Sequence, residues 1–264
     1  MGRAFESEGY CVVRGPDILW GQDVRGWQPA RHVFTGIIGG SPCQDFSKAR
    51  RCAPTGEGVE MLVEFTRIVI EADPAWFLLE NVPGVPDLKA LWNLRWPAEW
   101  KFQRFNLNAR ECGSAQNRLR CFQFGHKVGQ PLVLQRAFPL AGDVAACAMA
   151  TEGKRPGRRT FADFCELQGL PRDFALPGLT LSARYKAVGN GVPVPMARVV
   201  AAAIRSRSVT DYPTSRLCRC HCGRAVPSGK TLATPACRKR VQRQRDASRV
   251  TGPGPVTPAA SLFG

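Results

Sequence analysis

The stretch Thr35-Gly-Ile-Ile-Gly-Gly-Ser-Pro-Cys-Gln-Asp-Phe-Ser47 predicts a strand that ends in a sharp turn. We interpret Gly36 to Ile38 as a short buried strand, followed by a turn whose small residues let the backbone bend and approach a ligand closely. The turn delivers Cys43 to a polar segment, where a cysteine held by a rigid scaffold is placed like a nucleophile. An isolated Pro-Cys is more often structural, so the interpretation depends on the rest of the chain.

A second strand followed by a polar side chain comes next along the chain. Residues 58–71 have apolar side chains at helical spacing, and Ala75 to Leu79 is a buried strand that ends at Glu80. Strands that alternate with helices predict an α/β fold with a parallel sheet. Ligands bind beyond the carboxyl ends of such strands, so we expect Cys43 and Glu80 to share one site.

Two arginines follow the next predicted strand. Strands are predicted at Tyr10–Val13, Phe102–Leu107 and Cys121–Gly125, and helices at Thr160–Leu167 and Met196–Ile204. On an extended segment Arg118 and Arg120 would point to one side. Two guanidinium groups on one face suit a phosphate or a base edge, and the alternative is a solvated strand edge.

The composition points to a polyanionic partner. The 264-residue chain has a formal net charge of +16, and from Arg205 onward twelve Lys/Arg stand against two Asp/Glu. An excess of this size is typical of nucleic-acid-binding proteins, with plain solubility as the alternative. We see no apolar run near the roughly 18 residues of a membrane span and no secretory pattern. We therefore expect a cytoplasmic protein without a membrane partner.

The eleven cysteines cluster only in the tail. Without an export signal they indicate reduced thiols and one candidate metal site, formed by Cys218, Cys220, Cys222 and Cys237. Four such ligands would complete a tetrahedral zinc site. The second pair of the usual double Cys knuckle is incomplete, so an unstructured basic arm that binds DNA is an equal alternative.

Four motifs in order give the chain a resemblance to the cytosine-5 DNA methyltransferases over most of residues 1–204. They are Gly39-Gly-Ser-Pro-Cys-Gln-Asp-Phe-Ser47, Glu80-Asn-Val82, Gln116-Asn-Arg-Leu-Arg120 and Gly189-Asn-Gly-Val-Pro-Val-Pro195, the last preceded by Leu167-Gln-Gly-Leu-Pro171. The resemblance implies a Rossmann-like sheet, S-adenosyl-methionine as the methyl donor and double-stranded DNA as the partner. It also implies a role in restriction-modification and a bacterial or phage origin.

The resemblance also implies roles for individual residues. Cys43 would be the nucleophile that adds to carbon 6 of cytosine, because a thiolate is intrinsically nucleophilic and can leave again. Glu80 would be the acid at nitrogen 3, and Arg120 would hold the ring oxygen or a phosphate with support from Arg118. The base must be flipped out of the duplex to be reached. Asp23, Pro42 and Asn190 would contact the cofactor.

The chain departs from the family at two places. The family's opening strand and Phe-x-Gly-x-Gly loop have no counterpart in this sequence, so we expect a sheet that is incomplete at its N-terminus. Ser41 stands where the family commonly has a second proline.

The expected domain organisation has five parts. They are catalytic α/β residues 1–125, a small irregular recognition insert at 126–159, a return to the catalytic domain at 160–204, a basic Cys-rich candidate zinc finger at 205–246 and a disordered tail at 247–264.

Three functions are compatible with these features. The first is methylation of cytosine at carbon 5 in duplex DNA. The second is a non-catalytic remnant that holds DNA through its basic tail and arginines. The third is an RNA cytosine methyltransferase with the same thiol chemistry, which methyl labelling of tRNA and of duplex DNA would separate. The sequence does not specify the recognised base sequence or the oligomeric state.

Overall fold

The structure is a computed structural model that describes residues 1–16, 22–47, 52–91, 96–127, 129–137 and 143–207, with short pieces at 216–217, 225–226, 235, 238–239 and 242. The chain divides into two units, Met1–Tyr212 and Pro213–Gly264. The four predicted zinc ligands and the tail at 247–264 lie outside the described residues.

A four-stranded mixed sheet forms the centre of the first unit. Its strands are β1 (Gly36–Gly39), β2 (Trp76–Asn81), β3 (Lys101–Asn108) and β4 (Leu119–His126), in the order β1-β2-β4-β3. β1 runs parallel to β2, whereas β4 is antiparallel to both β2 and β3. The register places Glu80 opposite Phe122 and Leu107 opposite Arg120, so the end of β2 lies beside the start of β4.

Helices cover both faces of this sheet. They are α1 (Gly2–Ser7), α2 (Glu57–Ala72), α3 (Phe161–Leu167), α4 (Leu181–Asn190) and α5 (Val194–Ser206). Trp76 and Leu78 of β2 pack with residues of α1 and α5 on one face, and Phe77 and Leu79 pack with residues of α2 on the other. Because side chains alternate along a strand, Glu80 continues the row of Trp76 and Leu78.

The α/β class is confirmed, but four details of the prediction are wrong. Among the strand pairs of the described residues, only β1 and β2 are parallel. Tyr10–Val13 is irregular, and Tyr10 uses its ring to pack on Phe5 and Trp76 instead of pairing with a strand. β1 is half-buried because it is the edge strand among the described residues. Glu80 is also inside β2 rather than after it.

One stretch of the described chain, Leu181–Ser206, is long and apolar enough by composition to cross a membrane. It consists of α4 and α5, which are separated by the turn at Gly191–Pro193. More than half of the apolar window is buried inside the protein, and α5 contributes Met196, Val200 and Ile204 to the core. This pattern is that of a core helix, whose apolar face packs against the sheet.

The second unit is described only in short pieces. β5 (Arg216–Leu217) and β6 (Ala225–Val226) pair as antiparallel strands, with Arg216 opposite Val226. Cys218, Cys220 and Cys222 belong to the connection between these strands in the sequence but lie outside the described residues. The zinc prediction therefore stays a prediction.

Candidate active site

The loop after β1 brings Cys43 to the edge of the sheet. Cys43 is half-buried and immediately precedes a short 3-10 turn, Gln44–Phe46. A β-carbon on Gly39 would lie 2.5 Å from the Phe65 ring, which explains why this position needs glycine. A β-carbon on Gly40 would lie 3.4 Å from Oε2 of Glu80. The loop that carries Cys43 therefore passes directly over the Glu80 carboxyl group.

Asn81 tethers this loop to the sheet. Its Nδ2 donates to the Ser41 carbonyl oxygen at 3.1 Å and to the Ser41 hydroxyl at 2.9 Å. Its Oδ1 accepts from the backbone N–H of Val82 at 2.8 Å. Ser41, which departs from the family's usual proline, thus adds a side-chain bond to the tether. The sequence motif contained Asn81, but its role follows only from these contacts.

Asp45 anchors the other end of the loop. Its carboxylate accepts from the backbone N–H groups of Thr55 and Gly58, each at 2.9 Å. These backbone bonds from Thr55 and Gly58 lower the pKa of Asp45. Because Gly58 lies in the first turn of α2, the bond satisfies a helix N–H that would otherwise lack a partner. The loop of Cys43 is thereby fixed at Ser41 and at Asp45.

Glu80 and Arg120 form a buried ion pair beneath the Cys43 loop. Nε of Arg120 lies 3.0 Å from Oε1 of Glu80, and Glu80 is only 7% exposed. Burial raises the pKa of Glu80, and the opposing charges of Arg120 and Arg118 do not cancel that effect. Arg120 also lies near Cys43. The structure therefore places the Glu80–Arg120 pair beside the loop that carries Cys43.

Arg118 is directed at backbone carbonyls. Its Nη1 donates to Ala148 O at 2.7 Å, and its Nη2 donates to Gly189 O at 2.8 Å and to Gly191 O at 3.0 Å. The residue is 3% exposed, which rules out a solvated strand edge. Arg118 joins β4 to the turn after α4, and it acts on Glu80 through its charge alone.

Replacing Arg118 with alanine should therefore destabilise the fold. Three carbonyl oxygens would lose a charged donor inside the protein, and we expect the free energy of unfolding to fall by about 3 kcal/mol. Urea unfolding followed by tryptophan fluorescence measures this change. Arg155→Ala, at an exposed position, is the matched control and should leave stability within about 0.5 kcal/mol. Equal losses of unfolding free energy in the two variants would contradict a stabilising role for the three carbonyl contacts of Arg118.

Two buried glutamines extend the same network. Nε2 of Gln116 donates to Oε1 of Gln168 at 2.9 Å, and Oε1 of Gln116 accepts from Ala148 N at 3.2 Å. Nε2 of Gln168 donates to Val188 O at 2.6 Å. Sequence reasoning gave neither glutamine a role, because a polar side chain in a loop gives no sign of burial. Their presence inside two of the quoted motifs was the available signal.

The three residues predicted to contact the cofactor differ in their surroundings. Pro42 and Asn190 are exposed, and Asn190 lies between the two glycines whose carbonyls bind Arg118. Asp23 is also exposed, but its two carboxylate oxygens accept from N and Nη1 of Arg25, each at 2.9 Å. Arg25 in turn pairs with Glu60 of α2 at 2.8 Å. Asn190 thus lies in the turn that Arg118 binds, whereas the Asp23 carboxylate is bound to Arg25 within its own turn.

Within the described part of the chain, no group of three or more His, Cys, Asp or Glu side chains could hold a metal ion. The side chains that the structure brings to this edge of the sheet are a thiol, a carboxylic acid and a guanidinium group. A thiol beside a buried acid is suited to adding to an electrophilic carbon while a neighbouring atom receives a proton.

These residues form a candidate enzyme site on an α/β sheet. A family model described as C-5 cytosine-specific DNA methylase matches residues 23–148 and 139–206. The chain belongs to this family.

Curated relatives match shorter parts. Type II methyltransferase M.MthTI of Methanothermobacter thermautotrophicus is 34% identical over 111 residues, which are 39% of this chain and 33% of that protein. Type II methyltransferase M.HgiDI of Herpetosiphon aurantiacus is 33% identical over 96 residues, covering 35% of this chain and 31% of that protein. The matching part thus spans about a third of these relatives. A DNMT2 mutant structure from Spodoptera frugiperda is 13% identical with a TM-score of 0.46, over 66% of this chain and 80% of that one.

Proposed function

We propose that the protein transfers a methyl group from S-adenosyl-methionine to carbon 5 of a cytosine flipped out of double-stranded DNA, through a covalent adduct with Cys43. The observation that carries this proposal is the buried Glu80–Arg120 pair, which lies under the Cys43 loop and keeps a carboxyl group with a raised pKa there. An acid of that kind beside a thiol is what addition to cytosine requires.

The adduct forms by balanced proton and electron movements. The Cys43 thiolate adds to carbon 6 of the ring while the protonated Glu80 gives a proton to nitrogen 3, and the electron pair of the 5,6 double bond moves to form a 4,5 double bond. Carbon 5 of this enamine would then bond to the donor's methyl group while the bond between that methyl group and the donor sulfur breaks, with S-adenosyl-homocysteine as the leaving group, and nitrogen 3 returns its proton to the Glu80 carboxylate. Water then takes the proton from carbon 5, and the electron pair of that C–H bond reforms the 5,6 double bond as the Cys43 thiolate leaves carbon 6, which restores the aromatic ring and the enzyme. Cysteine is suited to both halves because its thiolate attacks and leaves readily.

Arg120 has two tasks in this scheme. Its Nε holds Glu80 in place, and its Nη1 donates to Leu119 O at 2.8 Å, which fixes the plane of the guanidinium group. The remaining donor Nη2 is left for the ring oxygen of cytosine or the adjacent phosphate, to which guanidinium groups bind strongly. The tether from Asn81 to Ser41 and the anchor at Asp45 keep Cys43 over this pair.

The cofactor residues fit this function in part. Exposed Pro42 and Asn190 are available to line the adenosyl or methionine portion, and Asn190 offers an amide for a ribose hydroxyl. Asp23 would first have to release Arg25. When bound, S-adenosyl-methionine supplies an electrophilic methyl group. We also propose that the protein is a cytoplasmic enzyme of a restriction-modification system and that it has no membrane partner.

Covalent trapping tests this proposal. The full chain is incubated with S-adenosyl-methionine and a duplex pool that contains 5-fluorocytosine, because fluorine cannot leave carbon 5 as a proton does. We expect a complex that survives denaturing electrophoresis and whose mass equals protein, DNA strand and one methyl group. Cys11→Ser, at an exposed free cysteine, is the control and should trap equally well.

The outcome separates the candidate functions. If the folded chain binds duplex DNA but forms no complex, it holds DNA without chemistry and the proposed function is wrong. Trapping on a fluorinated tRNA but not on the duplex would instead indicate the RNA enzyme.

A further inference from the structure

A basic surface loop, residues 154–158, precedes α3 and carries Lys154, Arg155 and Arg158. All three residues are exposed, and within the described part of the chain none of them forms an ion pair with a carboxylate. By contrast, the exposed Arg172 lies between two carboxylates at 2.6 and 2.5 Å. Three uncompensated cations within five residues make a surface that attracts a polyanion.

The loop is fixed at both of its ends. Glu152, which precedes it, is 5% exposed and accepts from Nε and Nη2 of Arg159, which follows it, at 2.6 and 2.7 Å. The Tyr185 hydroxyl donates to the Arg159 carbonyl oxygen, and a β-carbon on Gly153 would lie 2.9 Å from Cβ of Tyr185. Because the backbone is already held in place, binding a ligand here costs less ordering than it would for a flexible arm.

An open pocket lies at the base of the loop. It has a volume of about 350 Å³, and Phe161 of α3 and Leu181 and Tyr185 of α4 form its apolar walls. Arg158 also lines it and has its guanidinium group beside the Tyr185 hydroxyl. Leu181 is 46% exposed. A cation next to exposed apolar side chains suits a nucleic-acid backbone, in which phosphates alternate with sugars.

Backbone residues 146–148 connect the loop to the candidate active site. Arg159 donates through Nη1 to the first carbonyl oxygen of this segment at 2.8 Å, and Arg118 donates through Nη1 to its last carbonyl oxygen at 2.7 Å. The thiol in the middle of the segment lies near Arg120. Lys154 follows the segment by six residues, which span at most about 22 Å. A duplex carries one phosphate charge for every ~1.7 Å of its axis, so many phosphates lie within that distance of a base held at Arg120.

We propose that residues 154–158 and the pocket beside them bind the phosphodiester backbone of DNA outside the candidate active site, and supply affinity without sequence selection. Base reading in the major groove normally uses a helix or a two-stranded ribbon that enters the groove, and this loop is neither. Contacts from Lys and Arg to phosphate instead fix the orientation of the duplex. This part of the expected 126–159 insert thus holds DNA and does not read it. The inference rests on the proposed function, since it takes duplex DNA as the ligand.

The salt dependence of binding tests this without requiring methyl transfer. Fluorescence anisotropy measures the affinity of the full chain for several labelled duplexes of different sequence, between about 50 and 200 mM salt. For Lys154→Ala/Arg155→Ala we expect the slope of log affinity against log salt to become shallower by about two on every duplex, because each lost phosphate contact removes about 0.9. Leu181→Ala should lower affinity about threefold and leave the slope unchanged, because it removes an apolar contact alone.

Two matched controls use exposed residues elsewhere on the surface. Lys89→Ala/Lys101→Ala removes two exposed cations that have no carboxylate partner within the described residues, and Lys101 lies opposite His126, at the end of β4 away from Arg120. Val133→Ala removes an apolar side chain that is 79% exposed. Both controls should keep the wild-type affinity and slope.

The outcomes separate backbone contact from its alternatives. An unchanged slope in Lys154→Ala/Arg155→Ala, a loss confined to one duplex sequence, or a loss seen with tRNA but not with duplex DNA would overturn the proposal. Unchanged affinity in Leu181→Ala would overturn the share assigned to the pocket. If Cys43 formed no adduct but the loop variant still had a shallower slope, the proposed function would fail and the DNA contact would stand.

Discussion

Cys43→Ser should lower methyl transfer to duplex DNA by at least about a thousandfold, an effect of the size seen when a catalytic nucleophile is removed. A serine hydroxyl at this position would be a far weaker nucleophile, because almost none of it is ionised at neutral pH, whereas a thiol has a measurable thiolate fraction. Transfer of a radioactive methyl group from S-adenosyl-methionine to a mixed-sequence duplex measures the loss.

The contacts around Cys43 make this variant informative. Its side chain is half-buried, and the loop is held by Asn81 at Ser41 and by Asp45 at Thr55 and Gly58, so the exchange of sulfur for oxygen should leave the fold intact. Cys11→Ser is the matched control and should retain transfer. Residual transfer above a few per cent in Cys43→Ser would show that another group attacks the ring.

The sequence predicted the placement of the candidate site residues more accurately than it predicted the strand directions of the sheet. Glu80 and Arg120 lie together beside the loop that carries Cys43, because each of these residues lies at a strand end or turn that the motifs located. The parallel sheet was wrong beyond β1–β2 because residues 109–118, which join β3 to β4, hold only the short 3-10 turn Ala109–Cys112, and a parallel connection normally needs a crossover helix. Without that helix, β3 and β4 pair as an antiparallel ribbon.

Side-chain partners were the least predictable part. Alternation predicted that Arg118 and Arg120 point to one side, but it could not show that the Arg118 guanidinium group binds the carbonyls of Gly189 and Gly191. Those acceptors are about seventy residues away in the sequence. Tyr10 was misassigned for a related reason, because its aromatic neighbours satisfy the apolar pattern that resembled a strand.

Glu80→Gln should lower methyl transfer by about a hundredfold or more, the usual effect of losing a general acid. The glutamine has nearly the same shape and can still accept from Arg120, but it cannot give a proton to nitrogen 3. Since burial raises the pKa of Glu80, the wild-type acid stays protonated to a higher pH than an ordinary glutamate, and transfer should fall as pH rises through that pKa. This descending limb should be missing from the rate–pH profile of the variant.

Unfolding measurements test the raised pKa of Glu80 independently, because it predicts the direction in which stability changes with pH. A carboxyl group whose folded pKa is raised stabilises the fold below its unfolded pKa of about 4.3, and this contribution is lost as pH rises through the folded pKa. The stability of Glu80→Gln relative to wild type should therefore increase from pH 5 to pH 8 in urea unfolding.

Glu152 is the matched control because its shift is opposite. It is 5% exposed and pairs with Arg159 at 2.6 Å; although burial alone would raise its pKa, the hydrogen bond and charge of Arg159 lower it. Its contribution is present above the unfolded pKa of about 4.3 and is lost as pH falls through the lower folded pKa, so the stability of Glu152→Gln relative to wild type should increase as pH falls from 5 to 3 and stay constant above pH 5. If the two variants changed with pH in the same direction, burial would not control Glu80, and its assignment as the acid would fail.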